Sequence, residues 1–380
     1  MSNNNAMRRS DAADVIRPVK PSSVLDFFRR GLSPERKAPS RPPFDELFRT
    51  FYEAKDLSDS RMRHYQVLGR MIHRYEAYVR ATSPDRRNWS FDVDTVDLDV
   101  LNGLKEYLKD EGVHLASCPG LLEQLAEDRG FVPRSDNYLH STFKMLKAFF
   151  NWCIRFGYLE KNPFDGFALP KEEYGTPVIL TLDEVERLYN HPMPRKRMER
   201  ARDVFVFQCM VGARVGDMMR FTKRSVQRGT LEYIAGKTMH FSGRTVTVPL
   251  NEIAKDIVRK YRDLPGDRLL PFVSEQNYNS RIKEIFTVAG LTRLVTEYDP
   301  VTRTEVKRPL NRIASSHLAR RTFVGNIYRK VKDPNLVSAL SGHAEGSKAF
   351  ARYREIDLKM KKDLVRILEN RKRKSRGGEE

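Results

Sequence analysis

The feature that most constrains this chain is a short extended stretch near its middle. Residues 169–177 carry Pro170 and Pro177 near and at its two ends, and no helix or strand periodicity crosses it. Proline fixes its own φ and pushes the residue before it out of the helical region. The chain must therefore fold as two bodies, one on either side of a linker at 167–176. Upstream the apolar residues recur only at helical spacing. Residues 44–54 form one amphipathic stretch, and 60–81 form a longer one with Met62, Tyr65, Leu68, Ile72, Tyr75 and Val79 on one face. A shorter helix is expected over 100–110. Ser135 is the expected N-cap of a helix over 137–156, whose apolar positions are Tyr138, Phe143, Leu146, Phe149, Phe150 and Cys153. Gly157 and Asn162-Pro163 end it, while 111–134 shows no clear pattern. These readings give an all-helical domain over 43–166.

Downstream the periodicity is mixed. Thr181-Leu182-Asp183-Glu184 is a capping box that opens a helix. Helices are expected over 201–211, 214–221, 251–262, 277–289 and 317–330, with a hairpin over 231–250 and a second strand pair within 294–306. Helices with a few antiparallel strands make an α+β domain over 177–370. Residues 1–42, rich in Asn, Ser, Pro, Arg and Lys, read as a flexible basic arm, and 371–380 as a tail. A helix over 357–370 would carry Met360, Leu364, Ile367 and Leu368 on one face.

The 380 residues include 69 Lys and Arg against 50 Asp and Glu, a formal charge of +19. Such a balance favours a polyanionic partner, nucleic acid before an acidic membrane surface. Residues 1–10 lack the apolar core of a signal peptide, and no apolar run approaches a membrane span. Cys118, Cys153 and Cys209 are odd in number and widely spaced, so neither a disulfide framework nor a zinc site is expected. The chain is expected to be soluble and intracellular.

The chemistry lies in the second domain. Arg214 sits in Gly212-Ala213-Arg214-Val215-Gly216-Asp217, three residues before an acid that can share its helix face and hold its guanidinium. Taken alone, such a pair is an ordinary surface ion pair worth little. Lys237 falls at the expected hairpin tip, where guanidinium neighbours would lower its pKa and suit it to give up a proton. His317 and Arg320 are three apart on one helix face, and spacing alone does not choose Arg320 over Arg321. His343 follows Gly342, and Tyr353 follows ten residues later. Two arginines can hold a phosphate bidentately, histidines can move protons, and a tyrosine can attack phosphorus. Such chemistry needs no metal, nucleotide or other cofactor, because a tyrosyl ester keeps the energy of the broken bond.

In this order the residues resemble the tyrosine recombinase (phage-integrase) family. The family's Gly-x-Arg-x-x-[Glu/Asp] run is matched by Gly212 to Asp217. Its hairpin lysine before Val-Pro-Leu is matched by Lys237 and Val248-Pro249-Leu250, and its His-x-x-Arg-x-Thr-Phe by His317 to Phe323, which selects Arg320. Its Leu-[Ser/Gly]-Gly-His and nucleophile are matched by Leu340 to His343 and Tyr353. The general layout looks most like mobile-element integrases of Bacteroides-type bacteria. The sequence departs from the pattern in a His343–Tyr353 step one residue longer than usual, in Met218, and in Ala319 where Leu is usual.

The resemblance implies a tyrosine recombinase fold, with the helical domain a core-binding, SAM-like DNA-binding domain, and the two domains closing around a duplex. It implies a site-specific recombinase with Tyr353 as nucleophile, Arg214 and Arg320 on the phosphate, and His343 assisting. Lys237 would be the acid, His317 the base and Asp217 a supporting residue. It implies double-stranded DNA as substrate, four protomers exchanging strands through a Holliday junction, accessory DNA-bending proteins, and a bacterial cytoplasmic, nucleoid-associated location. The helix over 357–370 would dock on a neighbouring protomer. The alternatives are a type IB topoisomerase-like enzyme that nicks and reseals, and a non-catalytic DNA-binding regulator on the same fold.

Overall fold

The computed structural model describes residues 42–125, 130–236, 243, 245–331 and 333–342. The basic arm, the 357–370 helix and the tail lie outside the described residues. The chain divides into two compact units between Lys171 and Glu172.

In the first unit every described element is helical: α1 (Phe44–Glu53), α2 (Asp59–Thr82), α3 (Leu98–Lys109), α4 (Glu111–Ala116), α5 (Pro119–Leu125) and α6 (Asp136–Arg155). The caps explain the starts. The Ser58 and Ser135 hydroxyls accept from the amides of Arg61 and Tyr138, and the Asp97 carboxylate accepts from that of Val100. Phe149 of α6 is the hub of the core. Its ring lies 5.4 Å from Phe44, 5.1 Å from Phe48, 5.5 Å from Phe51 and 5.3 Å from Phe150. These contacts are mostly edge-to-face, which suits the ring quadrupoles. Tyr138, expected on the apolar face of α6, is instead 42% exposed with the Arg134 guanidinium over its ring. One turn from the helix start, it lies at the rim of the core.

The stretch that showed no apolar pattern is organised by charge. Glu111 is fully buried at the start of α4. Its carboxylate accepts from Arg74 Nε at 2.5 Å, Arg134 Nη2 at 2.5 Å and the Tyr107 hydroxyl at 3.2 Å. Burial acts to raise its pKa, but the two guanidinium groups outweigh it and hold the carboxyl below its usual range. Polar satisfaction takes the place of hydrophobic periodicity here.

The second unit is built around α8 (Lys196–Val211), whose 204–209 run is buried on every side. A helix apolar all round belongs inside a domain. α7 (Leu182–Asn190), α10 (Glu252–Lys260), α11 (Glu275–Val288) and α13 (Ser316–Val331) pack around it. α7 begins with the reciprocal Thr181–Glu184 capping box. A three-stranded antiparallel sheet follows the order β1 (Val226–Gln227), β2 (Thr230–Ile234), β3 (Thr245–Pro249), with Leu231 opposite Val248 and Tyr233 opposite Val246. Arg228 and Gly229 join β1 to β2 with φ of 47° and 76°, the positive pair that a tight two-residue hairpin needs. β4 (Leu294–Asp299) and β5 (Thr304–Pro309) form a separate hairpin that runs past 306 to Pro309. The short α12 (Leu310–Ile313) leads into α13, and α14 (Pro334–Ser341) follows. The fold is thus mainly helical with small antiparallel sheets. The helix expected over 214–221 is shorter: α9 spans only Val215–Met218, with Arg214 as its N-cap.

Removing the Phe149 ring should leave a cavity among Phe44, Phe48, Phe51 and Phe150. Phe149→Ala is expected to cost about 3–5 kcal/mol in the first unit and to leave the unfolding of the second unchanged. Denaturant unfolding followed separately by Trp152 fluorescence and by a probe on α8 checks this.

Candidate active site

α8 ends where its last carbonyls need partners. Gly212 caps it in the left-handed region at φ 67°. A side chain there is excluded twice, by the backbone and by Phe323, since a Cβ on Gly212 would lie 2.7 Å from Phe323 Cγ. The close approach lets the buried Arg320, only 5% exposed, donate its Nη1 to the Gly212 carbonyl at 2.7 Å. Arg320 comes from the second turn of α13, whose start is fixed by the Ser316 amide on Asn279 Oδ1 at 2.8 Å. Two residues past Gly212 stands Arg214, the N-cap of α9. The structure therefore brings the two motif arginines together, although they are 106 positions apart in sequence.

Asp217 does not act as the spacing suggested. Arg214 has extended backbone (φ −70°, ψ 151°) and so stands off the helix that carries Asp217. The Asp217 Oδ1 instead accepts from Arg220 Nη2 at 2.5 Å and from the Gly236 amide at 2.9 Å. Asp217 Oδ2 and Arg214 Nη1 are sealed from solvent without a hydrogen-bond partner among the described residues. A buried donor left open costs on the order of 1–3 kcal/mol, so an orphaned guanidinium N–H favours an incoming acceptor.

Lys237, His343 and Tyr353 lie outside the described residues, yet the residues before the first two do not. Gly342 caps α14 in the left-handed region. A Cβ on Gly342 would lie 2.9 Å from Val246 Cγ2 and 3.8 Å from Ala235 Cβ. Gly236 and Gly342 thus sit at one end of the β2–β3 ladder, and Asp217 ties that end to α9. The described residues just before Lys237 and His343 therefore lie at the same end of the sheet.

Tyr233 was missed in sequence, as one of 15 tyrosines outside any motif. Its ring packs at 4.9 Å on Phe221. Burial pushes its phenol up to about 12, with Asp217 adding to the rise and Arg320 and Arg214 opposing it. Those opposing charges place it beside the two arginines. Its one sequence signal is strand alternation, which puts it on the same face of β2 as the buried Leu231.

No family model matches the chain. Among curated proteins it is similar to the tyrosine recombinase XerC of Salmonella typhi, 22% identical over 200 residues, 52% of this chain. The chain spans 63% of that relative's length. Among solved structures, the Tn1549 transposon integrase in complex with a circular intermediate DNA aligns with TM-score 0.58 and 14% identity, covering 85% of this chain and 98% of that one. A lambda integrase tetramer bound to a Holliday junction aligns with TM-score 0.52 and 14% identity, covering 89% and 87%. The chain thus shares the fold of these integrases and is similar in sequence to a tyrosine recombinase.

His317 lies among charged neighbours. It stands in the first turn of α13, exposed along one edge and crowded on the other. Desolvation lowers its pKa below the usual 6.5, helped by Arg321, Arg320 and Arg214 and opposed by Glu275. The shift favours the neutral imidazole, the form able to accept a proton. Its NMR titration midpoint is expected below 6.5 and should rise in Arg321→Ala; a midpoint above 6.5 in the parent protein contradicts this.

Proposed function

We propose that this chain is a site-specific DNA recombinase that cleaves and rejoins duplex DNA through a 3′-phosphotyrosyl intermediate. The observation that carries the reading is the convergence of Arg214 and Arg320 at the Gly212 cap, with an Arg214 N–H left open in a buried position. A phosphodiester in that seat would satisfy the open donor and meet two guanidinium groups. Their charge would count most as the phosphorus takes on a fifth oxygen and negative charge grows on its non-bridging atoms.

The reaction assigns one task to each residue. The Tyr353 oxygen forms a bond to phosphorus while the bond from phosphorus to the 5′-oxygen breaks. His317, in its neutral form, takes the phenolic proton. Lys237 gives a proton to the departing 5′-oxygen, leaving a free hydroxyl, and becomes a neutral amine. His343 donates a hydrogen bond to the phosphate. The reverse attack by a 5′-hydroxyl rejoins the strand, and a hydroxyl from a second duplex gives exchange. The partners are double-stranded DNA and, for strand exchange through a Holliday junction, three further copies of the chain, with DNA-bending proteins as accessories. This activity places the protein in the cytoplasm with the nucleoid. The charge of +19 over the whole chain is in keeping with a polyanionic substrate.

A nicked suicide substrate traps the covalent complex. Tyr353→Phe is expected to bind DNA normally and give no denaturant-resistant adduct; a normal adduct yield would reassign the nucleophile. Arg320→Ala should slow adduct formation by roughly a hundredfold or more, as on losing a preorganised donor. Arg321→Ala should cost far less, because only Arg320 makes the bond to Gly212. Joining of two separate sites by the wild-type protein distinguishes a recombinase from a nicking-resealing enzyme, and absence of any adduct would point to a DNA-binding regulator.

A further inference from the structure

One arginine outside the motif set is built into the same site. Asp217 is 3% exposed, and a carboxylate so buried needs donors. Its Oδ1 has two: Arg220 Nη2 at 2.5 Å and the Gly236 amide at 2.9 Å. Arg220 itself is half exposed, its side chain at 49%. An exposed ion pair is ordinarily worth little. This one differs because its acidic partner is buried and shares the same oxygen with a backbone amide.

The guanidinium also lies against Gly236. A Cβ built there would stand 2.8 Å from Arg220 Cζ and 2.9 Å from Nη1. Any side chain at 236 would push Arg220 off Asp217, so glycine and arginine are a matched pair. The backbone that delivers Arg220 is itself held. Its amide donates to the Asp217 carbonyl at 2.9 Å. The next residue, Phe221, is buried against Tyr233, and its carbonyl accepts from the Leu269 amide at 3.1 Å. A rigid segment thus carries a flexible side chain onto the last described residue before Lys237.

We propose that Arg220 is a positioning residue for the leaving-group proton. It holds Asp217 on the Gly236 amide and so fixes the backbone that enters Lys237. Without it, Asp217 keeps one donor on Oδ1 and, among the described residues, none on Oδ2. The carboxylate then turns to find water or another donor, and the Gly236 anchor loosens. The Arg320–Gly212 bond shares no residue with this anchor. The defect should therefore fall on protonation of the 5′-oxygen and spare phosphate binding. The inference rests on the role proposed above for Lys237.

Two substrates separate these effects in single-turnover cleavage by the full chain. One carries the ordinary 5′-oxygen. The other carries a bridging 5′-sulfur, which departs as a thiolate without needing a proton because thiols are far more acidic than alcohols. Arg220→Ala is expected to be roughly tenfold to a hundredfold slower on the oxygen substrate, the scale of a displaced general acid. On the sulfur substrate it should match the wild type, with DNA affinity unchanged. Arg220→Lys keeps the charge and guards against misfolding. It should show a smaller loss on oxygen and the same recovery on sulfur, because a point charge cannot both bind Asp217 and cover Gly236. Equal losses on both substrates, or wild-type rates on oxygen for both variants, overturn the inference. Lys237→Ala is the reference: if sulfur fails to rescue it, the fault lies in the role of Lys237, whereas rescue of Lys237→Ala without rescue of Arg220→Ala overturns the positioning role alone.

Discussion

The site depends on one hydrogen bond between segments far apart in the chain. Arg320, buried in α13, reaches the carbonyl that ends α8, and that carbonyl belongs to the one residue type that tolerates both the left-handed turn and the Phe323 ring above it. The bond satisfies a helix-end carbonyl and orients a buried cation in one step. It also sets the distance between the two motif arginines, because Arg214 follows the cap by two residues. The fold around it serves this contact: α8 is the buried axis of the unit, and α13 packs along it.

The two units treat buried charge in opposite ways. In the first, Glu111 meets two guanidinium groups and a phenol, and the network is filled. A network of that kind fixes a fold. In the second, Arg214 and Asp217 each keep a sealed polar atom without a partner among the described residues. Such incompleteness is costly in a protein that only has to be stable. The open Arg214 N–H can take an acceptor from outside; beside it the arginines help to lower the His317 pKa, while burial raises the Tyr233 phenol against their pull.

How much of this was legible in the sequence follows from range. Local rules read well: the Ser135 cap, the Thr181–Glu184 box and most of the apolar face of α6 all express neighbours within a few residues. Elements shorter than a period did not read at all. β1, of two residues, is the example, while α9 was expected but has four residues in place of the 214–221 stretch. The 111–134 stretch was opaque because charges hold it. Within the second unit, motif order pointed to Arg214, His317 and Arg320 as candidates, and the fold brings the two arginines to the Gly212 cap. Motif order assigned Asp217 to the wrong arginine, since spacing says nothing of the extended backbone at Arg214. Tyr233 and Arg220 had no motif to mark them; only the tertiary fold brings them to the site.

The central claim is that the cap at Gly212 makes the arginine pair, and Gly212→Ala tests it most directly. The added methyl would collide with Phe323 and strain a backbone at φ 67°, moving the carbonyl away from Arg320. Rates of covalent adduct formation on a suicide substrate, measured at saturating DNA on protein that melts as a folded chain, give the answer. The account predicts a loss of roughly a hundredfold or more, comparable to Arg320→Ala. A folded Gly212→Ala protein that forms the adduct at the wild-type rate would contradict it.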